Sequence, residues 1–151
     1  MRSSPRHRAR ALVLQGLYQQ QLSGNAGDAI RMQLAESAGY SKSDTDYFAT
    51  LWAGVTRDYA ALLERVAPHL DRRMQDLSPV ERSIVVIGTW ELEHRVDIPY
   101  RVVINEAVEL AKSYGGTDGH KFVNGVLDKL ATELRAGEIT AERSARAGPN
   151  V

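Results

Sequence analysis

Apolar residues recur at three- and four-residue steps along most of this chain, and nowhere do they alternate in the two-residue rhythm of a half-buried strand. That property alone restricts the fold to packed helices. Val123, Val126, Leu127, Leu130 and Leu134 give the clearest case, stacking on one face of a 3.6-period helix. Ser4-Pro5 opens a first helix, with Ser4 as cap and Pro5 at the first helical position. Its apolar face carries Ala9, Leu12, Val13, Gly16 and Leu17, and Gly24-Asn25 ends it. A shorter helix covers Ala29 to Ser37. Asp44 and its neighbours then start a long one through Phe48, Leu51, Trp52, Val55, Leu62 and Val66, read as the central helix of the core and stopped by Pro68.

A short helical turn is expected over His69 to Met74. Ser78-Pro79-Val80-Glu81 has the form of a capping box, and the helix it starts reaches about Arg95. Another runs from Ile98-Pro99 to Tyr114, and Gly115 ends it. The expected architecture is all-α: one compact bundle of about seven helices, divisible into two helical subbundles, over residues 1–135. Residues 136–151 are rich in Arg, Glu, Ala and Gly with little to bury, and are expected to form a flexible tail.

At 151 residues the chain has the length of one domain. No apolar run approaches the roughly 20 residues of a membrane span, no secretory signal core follows the first arginines, and there are no cysteines. A cytoplasmic location is the simplest expectation. Histidines at 7, 69, 94 and 120 lie too far apart to suggest a metal site, no cofactor-binding loop is legible, and no nucleophile is paired with a base. The reading is therefore of a non-enzymatic protein.

Charge is more informative. Nineteen basic residues balance 19 acidic ones, yet Arg2, Arg6, His7, Arg8 and Arg10 all precede the first acid, Asp28. Arg6 and Arg10 are one turn apart on the side away from the apolar face, with His7 and Leu14 near them, while Arg8 lies closer to the apolar edge. Tyr18 borders the core. A solvated face and a bounded polyanion site both fit; the lack of acids within the helix favours the second. The stretch around Gly115-Gly116-Thr117-Asp118-Gly119 opens the last helix, with Thr117 or Asp118 as cap. Lys121 and Asn124 point away from its apolar stripe and Phe122 sits beside it. A ring, a cation and an amide at a helix start can hold a nucleotide, or Phe122 can pack on the core edge while Lys121 is solvated.

Arg8-Ala9-Arg10, Gln15-x-Leu17-Tyr18, Gly54-Val55, Val96-Asp97-Ile98-Pro99-Tyr100, Ile104 to Lys112 and His120 to Lys129 together closely resemble the NusB family of bacterial transcription antitermination factors, with coverage from about Arg6 to Leu134. The resemblance implies an all-helical protein that binds the single-stranded boxA element of nascent ribosomal RNA together with NusE, a small-subunit ribosomal protein, within an RNA polymerase antitermination complex. It implies RNA contacts by Arg6, His7, Arg8, Arg10 and Tyr18 on the first helix and by Lys121, Phe122 and Asn124 on the last. Glu81 and Asp118 would face NusE. His7 stands in an otherwise arginine-rich cluster, which makes that contact weaker or pH-dependent. His69 and Gln75 depart from the aromatic and the acid expected there. The competing reading is a homo-oligomeric interaction scaffold, such as a homodimer, with the basic first helix as its interface.

Overall fold

A computed structural model describes residues 4–147. These form eight α-helices: α1 (Pro5–Ser23), α2 (Gly27–Ala35), α3 (Thr45–Arg57), α4 (Tyr59–Val66), α5 (Pro79–His94), α6 (Tyr100–Tyr114), α7 (Gly119–Leu134) and α8 (Ala136–Ala147). Single turns of 3-10 helix stand at Tyr40–Lys42, Ala67–His69 and Met74–Asp76. The all-α expectation holds, with a helix more than expected. Arg2, in the basic stretch, and the last four residues of the expected tail lie outside the described residues.

The core is built around α5, not around the stretch from Asp44 to Val66. Every residue from Ser83 to Leu92 is buried, and α1, α3, α4, α6 and α7 all pack on this helix. Apart from Glu91, whose carboxylate is paired in the core, the side chains of this span are apolar or small and leave it no face to give to water. The long helix is itself divided. At Asp58 the backbone leaves helical geometry (φ −100°, ψ 14°), separating α3 from α4, while Asp58 is held by Arg57 at 3.1 Å. The break lets two short helices follow α5 instead of one long one leaving it. Gly54 lies flat against the Trp90 indole, where a Cβ would collide with the ring.

Ser4 and Ser78 cap as expected: their hydroxyls accept from the His7 and Glu81 amides, each at 3.0 Å. Asp118 occupies the position before α7 but makes no side-chain cap.

The expected tail is a helix over Ala136–Ala147, and charge rather than apolar area ties it down. Arg135 is 4% exposed. It donates to the carbonyls of Leu92 (2.7 Å), Ile98 (2.9 Å), Glu91 (3.2 Å) and Arg95 (2.9 Å), and to Glu138 (2.6 Å). These bonds use all the N–H donors of the guanidinium. They gather the carbonyls of the last turn of α5 and of the connection to α6, of which Glu91 and Arg95 also accept backbone N–H groups. Glu138 also accepts from the Tyr100 amide at 2.8 Å, capping α6, and Glu142 accepts from Arg101 Nε at 2.7 Å.

Candidate nucleic-acid interface

The N-terminal turns of α1 bring Arg6, His7, Arg8 and Arg10 to one end of the bundle, but only some of them to its surface. Arg10, expected on the solvent side, is 2% exposed. Its Nε lies 3.0 Å from both Glu91 oxygens and its Nη2 2.9 Å from one of them. The Tyr47 hydroxyl donates to the same carboxylate. Burial works against the Arg10 cation, but Glu91 more than offsets it and holds the guanidinium charged. Burial first, and then the Glu91 charge, push the Tyr47 phenol well above its usual range. Arg10 is thus a core ion-pair residue. Leu14, placed on the same outer side by sequence, is also buried at 2%. Both corrections have one cause: α1 packs against α2, α3 and α5, so more than one face is covered.

Arg6 keeps a 40% exposed side chain and stands 4.4 Å over the Tyr47 ring, with Asp44 at 3.9 Å. His7 donates from Nδ1 to Glu106 on α6. That hydrogen bond, opposed by burial and aided by the Arg10 charge, holds the Glu106 carboxyl below its ordinary range. Arg8 is half-buried, and none of the ion pairs among the described residues involves it. The basic cluster read from sequence is therefore largely paired in place, with Arg6 and Arg8 its accessible cations.

Tyr18 lies about 18 Å further along α1. It is 41% exposed and lines an apolar groove of about 610 Å³ with Leu14, Leu22, Val80 and Tyr114. Beside this groove, at the junction of α5 with α7, the Glu81 side chain lies over Gly119; a methyl group there would touch its carboxylate at 3.5 Å. Glu81 and Asp118 thus fall on one patch.

On α7, Lys121 and Asn124 are exposed and Phe122 is half-buried. Phe122 packs on the core on its inner side and lines a second groove, of about 430 Å³, on its outer side with His69, Asp71, Arg72, Lys121 and Lys129. The core-edge reading of Phe122 holds for its inner side, and its outer side faces the groove. Lys121 Nζ is 3.5 Å from Asp118. Arg72 and Lys129 were not singled out from sequence. Lys129 follows Phe122 by two helical turns and so shares its face, a spacing that was legible. Arg72 sits in an irregular connection whose side-chain direction no periodicity reveals. His69 is bonded to Glu133 at 2.9 Å, and Gln75 is exposed on its 3-10 turn.

Among the described residues no group of three or more His, Asp and Glu side chains is placed to hold a metal ion. No helix among them is long and apolar enough to cross a membrane.

Comparison with known proteins gives the family and the fold. The chain is 52% identical over 145 residues, 96% of its length, to the transcription antitermination protein NusB of Burkholderia mallei, covering all of that protein. The NusB proteins of Burkholderia pseudomallei and Burkholderia thailandensis match to the same extent. Among solved structures, NusB of T. maritima superposes with a TM-score of 0.76 at 28% identity, over 88% of this chain and 94% of that one. A second, at 24% identity and TM-score 0.73, covering 84% of this chain and 96% of that one, comes from the crystal structure of antitermination factors NusB and NusE in complex with dsRNA, and it shares the fold. The model of the NusB family matches residues 7–132, and the chain belongs to that family.

Proposed function

We propose that this chain is a cytoplasmic, non-enzymatic transcription antitermination factor that binds boxA-type single-stranded RNA. It does so together with a NusE-type ribosomal protein, inside an RNA polymerase antitermination complex. The observation that carries this reading is the α7 groove, where a half-exposed ring stands among Arg72, Lys121 and Lys129. Single strands splay bases that stack on such rings and guanidinium planes, whereas an A-form duplex keeps its bases stacked inside. Arg6, Arg8 and Tyr18 serve as the contacts on α1. His7 contributes through its pairing with Glu106, while Arg10 belongs to the core ion pair with Glu91 and serves stability rather than RNA contact. Glu81 and Asp118 form the acidic patch for the protein partner.

The test is fluorescence anisotropy of a labelled boxA-type RNA with and without NusE. Binding should tighten when NusE is present, resist an unlabelled duplex competitor, and weaken with salt by a log–log slope of about −0.7 per phosphate contacted. No binding in either condition overturns the reading.

The second reading, a homo-oligomeric scaffold, has one observation in its favour. Tyr18, Leu22 and Tyr114 expose 41%, 62% and 46% of their surfaces around one groove, more contiguous apolar surface than scattered exposed residues leave. Light scattering with and without RNA separates the two: a dimer that persists with RNA bound disfavours competition for the α1 face.

A further inference from the structure

Phe122 does not offer a bare ring to solvent. Its inner side packs on the core, and the Arg72 guanidinium carbon stands over the ring 4.3 Å from its centroid. The guanidinium is held in place by its neighbour, since Arg72 Nε donates to Asp71 at 2.9 Å. The Arg72 side chain is still 41% exposed, and it lines the same groove as Phe122. An incoming base therefore meets the guanidinium before it meets the phenyl ring. A guanidinium is planar and weakly hydrated, and stacks on aromatic systems as well as a ring does.

The charge of the groove supports a nucleotide rather than a base alone. Arg72 is matched by Asp71 and Lys121 by Asp118 at 3.5 Å. Lys129, exposed on the same wall, has no ion-pair partner among the described residues. With Arg72, Lys121 and Lys129 set against Asp71 and Asp118, the lining of the groove carries one cation in excess.

Building on the RNA reading, we propose that Arg72 and Phe122 form one composite stacking surface. The guanidinium is its outer leaf, a single base of bound RNA lies on it, and Lys129 takes that nucleotide's phosphate. Phe122 backs the stack and Arg72 is a binding residue in its own right.

The experiment compares Arg72→Ala, Arg72→Lys, Phe122→Ala, the double alanine variant and Lys129→Ala with the parent, using labelled boxA-type RNA beside NusE. Copies of the RNA carrying 2-aminopurine at successive positions report stacking by quenching. Arg72→Ala should raise Kd by about fivefold or more, the lower end for a lost stacking platform. It should also abolish quenching at one position. Arg72→Lys keeps the charge but not the plane, so it should stay weakened. The double alanine variant should be little worse than the weaker-binding single, because the two side chains act as one surface. Lys129→Ala should flatten the salt slope by about 0.7. Both altered cations are on the surface, and thermal melts that match the parent show that the variants fold. Parent-like or tighter binding by Arg72→Ala would make the guanidinium a mere cover over the ring and overturn the proposal. So would full recovery in Arg72→Lys, or an unchanged slope in Lys129→Ala. If the parent itself binds no RNA, the RNA reading fails first, before any variant is compared.

Discussion

Replacing Arg10 with alanine should unfold this protein more readily while leaving the proposed RNA site almost untouched. The guanidinium is 2% exposed and the Glu91 carboxylate 1%. Removing the cation strands a buried anion whose remaining side-chain partner is the Tyr47 hydroxyl. Breaking one side of such a pair costs about 3–5 kcal/mol, most of it the penalty for leaving the other charge unpaired in a dry site. Loss of the buried side-chain volume adds to the same sign. For a domain of this size each kcal/mol lowers Tm by roughly 2–4 °C, so a fall of about 6–20 °C is expected. Calorimetry and urea titration of Arg10→Ala measure it, and Glu91→Gln, which strands the cation instead, should also lower Tm. RNA affinity is then measured well below the variant's Tm, where it should stay within about threefold of the parent, under 1 kcal/mol. A variant as stable as the parent that lost RNA binding would refute the buried-pair reasoning and return Arg10 to the surface role that its place in an arginine-rich sequence suggests.

Three further outcomes follow from the packing and the buried charges. Arg135→Ala removes the guanidinium that bonds four carbonyls between Glu91 and Ile98, and leaves those of Leu92 and Ile98 without it, while Glu91 and Arg95 keep backbone partners. With about 1–3 kcal/mol for each buried group left unpaired, it should destabilise by several kcal/mol and release α8, seen as faster amide exchange after Leu134. Gly54→Ala puts a methyl group into the Trp90 indole and should cost about 1–3 kcal/mol by overpacking, read by urea denaturation. Stability should fall at both ends of the pH scale. Glu106 titrates below its ordinary 4.5 in the fold, so its contribution is present above that value and is lost as pH drops through the folded value. Tyr47 titrates above its ordinary 10.0, so its contribution is complete below 10.0 and is lost as pH climbs beyond it. Glu106→Gln and Tyr47→Phe should flatten the acid and alkaline limbs of a pH–Tm curve respectively.

Helix starts were legible because they are local: a serine hydroxyl followed by proline states its own geometry, and Ser4-Pro5 and Ser78-Pro79 begin α1 and α5 as read. What escaped depends on partners distant in the chain. Glu91 is 81 residues from Arg10, so nothing near Arg10 marks it as buried, and an arginine one turn from Arg6 reads as solvated. The helix after Arg135 escaped for the same reason, since its anchors are the carbonyls of α5 and the amide of Tyr100. The Asp58 break fell inside an unbroken apolar period, which locates a buried face but not a change in helix direction. The centrality of α5 was legible in composition, yet a stripe-by-stripe reading favoured the longer pattern from Asp44. On α7, spacing alone set Phe122 at the core edge and Lys121 outside it, and Arg72 entered only once the chain folded it across.

The most direct test of the central claim is the RNA affinity of Phe122→Ala by fluorescence anisotropy beside NusE, with Arg10→Ala measured in parallel on folded protein. If α7 carries the nucleotide site, Phe122→Ala raises Kd by about 5- to 150-fold, equivalent to ~1–3 kcal/mol of lost stacking, while Arg10→Ala stays near the parent. Unchanged affinity in Phe122→Ala would contradict the account and move the RNA contact away from the α7 groove.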